Sequence, residues 1–224
     1  MKILKTINST RKYITSLKKQ SKTIGFVPTM GYLHEGHLSL VRQAKKDCDI
    51  VVVSIFVNPL QFGHKEDFKK YPRDIKRDCQ ILEKEGVDVL FYPEAQDMYK
   101  DEVSFVDVGR LGNILCGKTR PGHFRGVATV VNKLFNIVQP DISYFGQKDG
   151  QQLVIIKKMV RDLNISVKIK GMPIIRERSG LAMSSRNSYL TDKEKKDAQV
   201  LYKSLKLAKA LIYDGEKKRS ESVV

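Results

Sequence analysis

Residues 23–41 read TIGFVPTMGYLHEGHLSLV and contain the pattern that decides the fold. The run TIGFVPT is short and apolar, which is typical of a buried strand, and it ends in a turn that carries Pro28 and Gly31. After this turn, Leu38 and Val41 begin an apolar face with helical spacing. The segment therefore predicts a strand, a loop and a helix in succession.

The same alternation continues along the chain. Residues 49–57, DIVVVSIFV, are almost continuously β-branched and apolar, as expected for a strand buried on both faces of a parallel sheet. Further elements are predicted as a helix at 73–84, strands at 87–93 and 103–108, a helix over 127–138, a strand at 141–146 and a helix over 153–163. This alternation predicts an α/β fold with a doubly wound, Rossmann-like parallel sheet.

The two ends of the chain have different patterns. The first 20 residues are basic and lack the apolar core of a secretory signal, so they predict an amphipathic helix. Thr191 and Glu194 have the spacing of a capping box before an apolar helical stripe over 198–211. The final residues KKRSESVV are predicted to be disordered or cut short. We expect a Rossmann-like domain over residues 1–173 and a partial C-terminal α+β lid domain over 174–224.

Composition excludes some classes of protein. No apolar stretch approaches the roughly 20 residues of a membrane-spanning helix, so no membrane partner is expected. Three cysteines with no C-x-x-C spacing favour a reducing cytoplasm. The net charge of +16 raises the question of nucleic acid, but the lysines are spread over almost every segment. A solvated basic surface, which also suits an anionic small substrate, is therefore favoured over a nucleic-acid partner.

Polar loops follow three of the predicted strands, and ligands bind at that end of an open parallel sheet. These loops are PTMGYLHEGH, NPLQFG and GQKDGQQ, and a fourth, MSSRN, would come from the C-terminal lobe. His34 and His37 flank Gly36 at a predicted helix start, where backbone N–H groups and the helix dipole favour a phosphate. Zinc is a weaker interpretation because no clear third ligand accompanies the two histidines.

The other loops add groups suited to phosphate and to a small substrate. Lys148 can neutralise phosphate charge, and Asp149 can hold ribose hydroxyls. MSSRN supplies two hydroxyls and a guanidinium for a pyrophosphate. Gln61 and Gln152 are uncharged amides able to bind a hydroxyl or a carboxylate. A serine hydrolase is excluded by the lack of G-x-S-x-G, and a P-loop enzyme by the lack of its G-x-x-x-x-G-K-[ST] motif.

Six segments resemble the pantothenate synthetase (pantoate–β-alanine ligase) family. They are PTMGYLHEGH, SIFVNPLQFG, DFKKYPRD, RPGHFRGVATVV, KLFNIVQPDISYFGQKDGQQL and GLAMSSRNSYL, and the resemblance extends from about residue 23 to residue 190. HxGH with an SSR-type loop would by itself indicate only the wider nucleotidylyl-transferase superfamily. The resemblance implies a two-step ligase: pantoate attacks the α-phosphate of ATP in the presence of Mg²⁺, and the amine of β-alanine then displaces AMP. It also implies a homodimer.

The resemblance assigns roles to individual residues. His34, His37, Lys148 and Arg186 would be catalytic, with His37 as the proton donor. The ATP site would comprise Met30, Gly31, His34, His37, Gly146, Gln147, Lys148, Asp149, Ile175, Met183, Ser184, Ser185 and Arg186. Pantoate would be held by Gln61 and Gln152, with Asn58, Tyr71 and Arg120 as additional candidates. No metal ligands are assigned.

Some positions depart from the pattern of the family. Gln147 stands where Glu is frequent, Gly150 where an aromatic residue is common, and Cys116 where Glu is frequent. Family members also continue beyond the equivalent of Val224, so the C-terminal domain is expected to be incomplete. Two alternatives stay open: another HxGH nucleotidylyl transferase, and an RNA-binding fragment related to tRNA synthetases.

Overall fold

Six strands form one parallel sheet in the computed structural model, which describes residues 1–101 and 104–213. The strands are β1 (Lys2–Leu4), β2 (Ile24–Thr29), β3 (Ile50–Ile55), β4 (Val89–Phe91), β5 (Ile142–Gly146) and β6 (Lys168–Met172). Their order across the sheet is β1-β4-β3-β2-β5-β6. The predicted Rossmann-like α/β fold is confirmed.

The strand order opens a crevice between β2 and β5. From β2 the chain builds outward through β3 and β4, and it later returns to the other side of β2 to add β5 and β6. The β2–β3 ladder runs over six residue pairs, whereas the β2–β5 ladder has only Gly25↔Ile142 and Phe26↔Ser143. Because the order reverses here, the carboxyl ends of β2 and β5 form the place where such sheets bind ligands.

Helices cover both faces of the sheet. They are α1 (Ile7–Lys18), α2 (Glu35–Asp47), α3 (Ile75–Lys84), α4 (Ala95–Met98), α5 (Cys116–Thr119), α6 (His123–Val138), α7 (Gly150–Asp162), α8 (Asp192–Asp197) and α9 (Val200–Tyr213). Apolar side chains of α1, α6 and α7 pack in the cluster on one face. Those of α2 and α3 pack in the cluster on the other face. The β-branched strands therefore lie between two apolar layers, which explains their nearly continuous hydrophobicity.

Four short 3₁₀ turns complete the elements of the described residues. They are Pro59–Gln61, Gly109–Gly112, Gln147–Asp149 and Ser185–Tyr189. The first and third follow β3 and β5 closely, so they lie at the carboxyl edge of the sheet. The fourth belongs to the chain after β6, where Arg176 and Ala182 form an isolated antiparallel bridge.

Some predicted elements are wrong in detail. The N-terminal segment is not helical throughout, because Lys2–Leu4 pairs with Val89–Phe91 before α1 begins. The edge strands β1 and β6 carry lysines on exposed positions, so they lacked the apolar pattern that reveals a strand. Residues 104–108 have no regular structure, and Val103 lies outside the described residues.

The C-terminal part has the predicted capping box and two helices instead of one. The Thr191 hydroxyl accepts the N–H of Glu194, and the Glu194 carboxylate accepts the N–H of Thr191. Helix α8 ends at Asp197 and α9 starts at Val200. Leu201 is 67% exposed, so the apolar stripe of α9 is not buried within the described residues. Residues 217–224, KKRSESVV, lie outside those residues, and the domain boundary at 173 stays a prediction.

Candidate active site

A cavity of about 240 Å³ lies at the carboxyl ends of β2, β3 and β5. It brings together most of the residues predicted from the sequence: Met30, His34, His37, Asn58, Gln61, Tyr71, Arg120, Gly146, Lys148, Asp149, Gln152, Ile175, Met183, Ser184, Ser185 and Arg186. Gly31 and Gln147 do not line it, and neither do the divergent Cys116 and Gly150. The fold thus brings together four loops that are far apart in the sequence.

Two histidines form the start of α2. His34 is the N-cap residue, and its Nδ1 accepts the backbone N–H of Gly36 at 3.1 Å. The Nδ1 of His37 accepts the backbone N–H of His34 at 3.3 Å. The two rings lie 4.0 Å apart between centroids. Because Nδ1 accepts in both rings, each neutral imidazole carries its proton on Nε2, the atom left free to donate to a ligand.

Both histidines resist protonation. Burial, with the charge of Lys148 next, lowers the pKa of His34 to about 4. Burial and the neighbouring His34 lower the pKa of His37 to about 3. The imidazoles are therefore uncharged near neutral pH, and they suit hydrogen-bond donation to phosphate oxygens better than proton donation.

Lys148 and Asp149 approach the histidines from the other side of the crevice. They lie on the 3₁₀ turn that joins β5 to α7. The Lys148 ammonium is 3.4 Å from the Asp149 carboxylate, and its side chain is 38% exposed. A single long contact of this kind is weak, so the ammonium can turn toward an anion in the crevice.

The MSSRN loop closes one side of the crevice. Ser185 is buried, and its hydroxyl donates to the carbonyl of Tyr32 at 3.1 Å. Arg186 donates two hydrogen bonds to the carboxylate of Asp67, at 2.8 and 2.9 Å. These bonds lower the pKa of Asp67, so the pair stays charged at neutral pH. The guanidinium of Arg186 is therefore paired with the carboxylate of Asp67 in this structure.

Arg120 is paired in the same way. Its guanidinium forms a bidentate ion pair with Glu66, at 2.6 and 2.7 Å. It also lies 3.0 Å from Nε2 of His123, whose Nδ1 lies 2.8 Å from the carbonyl of Gln61. Since a guanidinium only donates and a carbonyl only accepts, His123 accepts on Nε2 and donates from Nδ1. Adjacent acidic residues of one loop thus hold both candidate arginines.

Amides and apolar side chains form another part of the cavity wall. Asn58 is 1% exposed, and its amide nitrogen donates to the side chain of Gln61 at 3.0 Å and to the carbonyl of Gly126 at 3.1 Å. Tyr71 is buried and also lines the cavity, and Gln152 projects from α7. One face of α6 completes the floor with Val127, Val130, Val131 and Leu134.

Sequence reasoning missed His123, Glu66 and Asp67. His123 stands in the quoted segment RPGHFRGVATVV without an assigned role, although it is the first residue of α6 and lines the cavity. Glu66 lies outside the quoted segments, and Asp67 begins DFKKYPRD without an assigned role, because their arginine partners lie 54 and 119 positions away. The part of α6 that lines the cavity was predicted from the sequence only as a helix over 127–138.

The comparison with known families decides where the chain belongs. Residues 2–223 match the family described as Pantoate-beta-alanine ligase. The chain belongs to the pantoate–β-alanine ligase family. A pantothenate synthetase of Caldicellulosiruptor saccharolyticus is 59% identical over 222 residues, which are 99% of this chain and 79% of that protein.

Solved structures of pantoate–β-alanine ligases have the same fold. Pantothenate synthetase from Thermus thermophilus superposes with a TM-score of 0.92 at 47% identity, over 96% of this chain and 77% of that one. Pantoate–β-alanine ligase from Francisella tularensis, complexed with beta-gamma ATP and β-alanine, gives a TM-score of 0.87 at 46% identity, over 92% and 79%. The described residues of this ligase contain no helix both long and apolar enough to cross a bilayer.

Proposed function

We propose that the crevice between β2 and β5 carries out the reaction of this family, ATP-dependent ligation of pantoate and β-alanine through pantoyl adenylate. A carboxylate oxygen of pantoate attacks the α-phosphorus of ATP, and pyrophosphate leaves. The amine of β-alanine then attacks the acyl carbon, loses a proton and displaces AMP, which gives pantothenate. Neither step needs a covalent enzyme intermediate, so positioning and charge stabilisation supply the rate.

The observation that carries the proposal is the pair of uncharged histidines facing Lys148. Two Nε2–H donors at a helix N-terminus and one ammonium would surround the phosphates of ATP and the charge that develops in the transition state. His37 would act as a hydrogen-bond donor, and its role as a proton donor stays a prediction. Ser184, Ser185 and Arg186 would hold the pyrophosphate end.

The remaining nucleotide contacts are proposed from their places around the cavity. Gly146 and Asp149 would hold the ribose, and Ile175 would meet the adenine through its backbone. Met30, with Gly31 behind it, would line the site on the β2 side, and Met183 would close it. Gln147 is exposed on the turn after β5 and would contribute through its backbone.

Pantoate would occupy the part of the cavity between the two glutamines and α6. Its carboxylate and hydroxyls need hydrogen-bond donors and acceptors, which Gln61 and Gln152 offer, with Asn58 and Tyr71 behind them. Its two methyl groups need an apolar wall, which the valines of α6 supply. Arg120 would reach an anionic group once Glu66 releases it.

Mg²⁺ would enter this site as an ion carried by the nucleotide. The described residues contain no group of three or more His, Cys, Asp or Glu side chains placed to hold a metal. Mg²⁺ bound with phosphates needs only one or two carboxylates, so phosphate oxygens and water would supply most of its ligands. The ion would neutralise phosphate charge when bound.

The decisive experiment incubates the chain with ATP, pantoate and β-alanine and follows the products by mass spectrometry. We expect pantothenate from the full mixture and pantoyl adenylate when β-alanine is omitted. Pyrophosphate release that depends on pantoate excludes another nucleotidylyl transferase, whereas release with a different acceptor would support that alternative.

We also propose a homodimer in the cytoplasm, and sedimentation of the purified chain tests the dimer.

A further inference from the structure

The loop before His34 has an unusual backbone. Gly31 and Tyr32 both adopt positive φ angles, 83° and 48°. A left-handed conformation at a tyrosine costs free energy, of the order of 1 kcal/mol, and persists only where the surroundings hold it. The next residue, Leu33, is 1% exposed and directly precedes the N-cap histidine. Whatever holds these three peptide groups therefore also sets the position of His34.

Two residues of α3 contact this loop. The carboxylate of Asp78, a residue that is 1% exposed, accepts the N–H of Tyr32 at 2.7 Å and the N–H of Leu33 at 2.8 Å. Arg77 donates to the carbonyl of Leu33 at 2.8 Å, and its guanidinium carbon lies 5.0 Å from the centre of the Tyr32 ring. Two amides, one carbonyl and one ring of the loop are thus bound by consecutive side chains.

The contact leaves little freedom to the loop. A Cβ atom on Gly31 would lie 3.1 Å from the Asp78 carboxylate and 2.9 Å from Ile55, so the backbone is pressed between α3 and β3. Burial raises the pKa of Asp78, and the N–H groups of Leu33 and Tyr32, together with Arg77 at 3.4 Å, oppose this rise.

We propose that Arg77 and Asp78 are positioning residues that hold the loop of Gly31, Tyr32 and Leu33 so that the imidazoles of His34 and His37 face the reacting phosphate. The inference rests on the proposed function of the two histidines. Neither α3 residue lines the cavity, so their hydrogen bonds act through the loop, and the charge of Arg77 also reaches His34. Misplacing a reacting group by about 1 Å costs about 100-fold in rate, which makes such positioning consequential.

The test uses Asp78→Asn and Arg77→Met, with Lys76→Met as the matched control on the exposed face of α3. An asparagine can accept only one of the two N–H groups, and its NH₂ would face the other. We expect the single-turnover rate of pantoyl-adenylate formation to fall about 100-fold in Asp78→Asn and about tenfold in Arg77→Met, with KM for ATP and pantoate changed by less than about threefold. Lys76→Met should retain the wild-type rate, and Arg77→Lys should recover part of the loss.

Histidine NMR gives a readout that does not depend on activity. The charges of Lys148 and Arg77 lower the pKa of His34, and that of Asp149 opposes them. Arg77→Met should therefore raise the pKa of His34 through the lost charge alone, so the positioning role is read from the Nε2–H signals of Asp78→Asn and Arg77→Lys, which both keep the charge at position 77. A wild-type rate in Arg77→Met would overturn the proposal, as would a rise of its KM for ATP that matches the fall in its rate.

Two outcomes separate failure of the positioning role from other failures. If Asp78→Asn does not fold, Arg77→Met decides, because the Arg77 side chain is 43% exposed and its loss leaves no cavity in the core. If the wild-type chain forms no pantoyl adenylate, the proposed function fails. The histidine signals of the variants then decide whether α3 positions the loop.

Discussion

Replacing Asp67 by Asn tests whether a carboxylate of the protein competes with the substrate for Arg186. The two hydrogen bonds of this pair are 2.8 and 2.9 Å long, and the side chains of Arg186 and Asp67 are 42% and 24% exposed. If Arg186 binds the pyrophosphate end of ATP, this carboxylate must first leave it. Asp67→Asn removes the charge and keeps the shape, so the guanidinium becomes free for the nucleotide.

The size of the effect follows from the exposure of the pair. A partly exposed ion pair contributes up to about 1 kcal/mol of free energy. When the Asp67 carboxylate no longer competes for Arg186, the free energy of ATP binding should become more favourable by the same amount. We therefore expect Asp67→Asn to lower the Kd of ATP by up to about fivefold, measured by isothermal titration calorimetry.

A control of similar geometry is available at the C-terminal end of α3. Glu85→Gln breaks the bidentate pair of Glu85 with Arg42, at 2.9 and 2.6 Å, and neither residue lines the cavity. The Kd of Glu85→Gln for ATP should equal that of the wild type. A higher Kd in Asp67→Asn would refute the reasoning, because it would mean that Asp67 braces Arg186 in its binding position.

Three further predictions address the same site. Lys148→Ala should lower turnover about 100-fold or more and weaken ATP binding much less, as single-turnover and titration measurements will show; wild-type turnover would contradict the assignment. Because the pKa of His37 falls to about 3 on folding from an unfolded value near 6.5, the unfolded state binds the extra proton, so the free energy of unfolding should decrease as the pH falls below about 6.5. In denaturant titrations, the free energy of unfolding of His37→Gln should decrease less with falling pH than that of the wild type. Equal pH dependence in the two proteins would exclude His37 as the cause. Gly126→Ala places a Cβ 2.2 Å from the carbonyl oxygen of Leu60 and should lower the free energy of unfolding by more than about 2 kcal/mol and weaken pantoate binding. Gly150→Ala meets nothing within 4 Å, so it should keep or raise the stability; equal losses in both would contradict the steric argument.

Much of the fold and part of the site could be predicted from the sequence. Central strands such as residues 50–55 are recognisable because both of their faces are buried, so nearly every position is apolar. The loops after these strands must meet at one edge of a parallel sheet, which placed His34, Lys148 and Gln61 around one crevice. The edge strand Lys2–Leu4 escaped prediction because an edge exposes polar positions and three residues carry little periodicity.

The family, the α/β alternation and the motifs that supply the polar groups follow from the order of the amino acids alone, because these depend on local pattern. The protonation of His34 and His37, the ion pairs of Glu66 and Asp67 and the contacts of Asp78 with the loop were decided only by the tertiary structure. Burial and long-range contacts set pKa values and partners, and they depend on how distant segments are placed in space. Asp67 meets Arg186 across 119 positions of sequence, a relation that no local periodicity encodes.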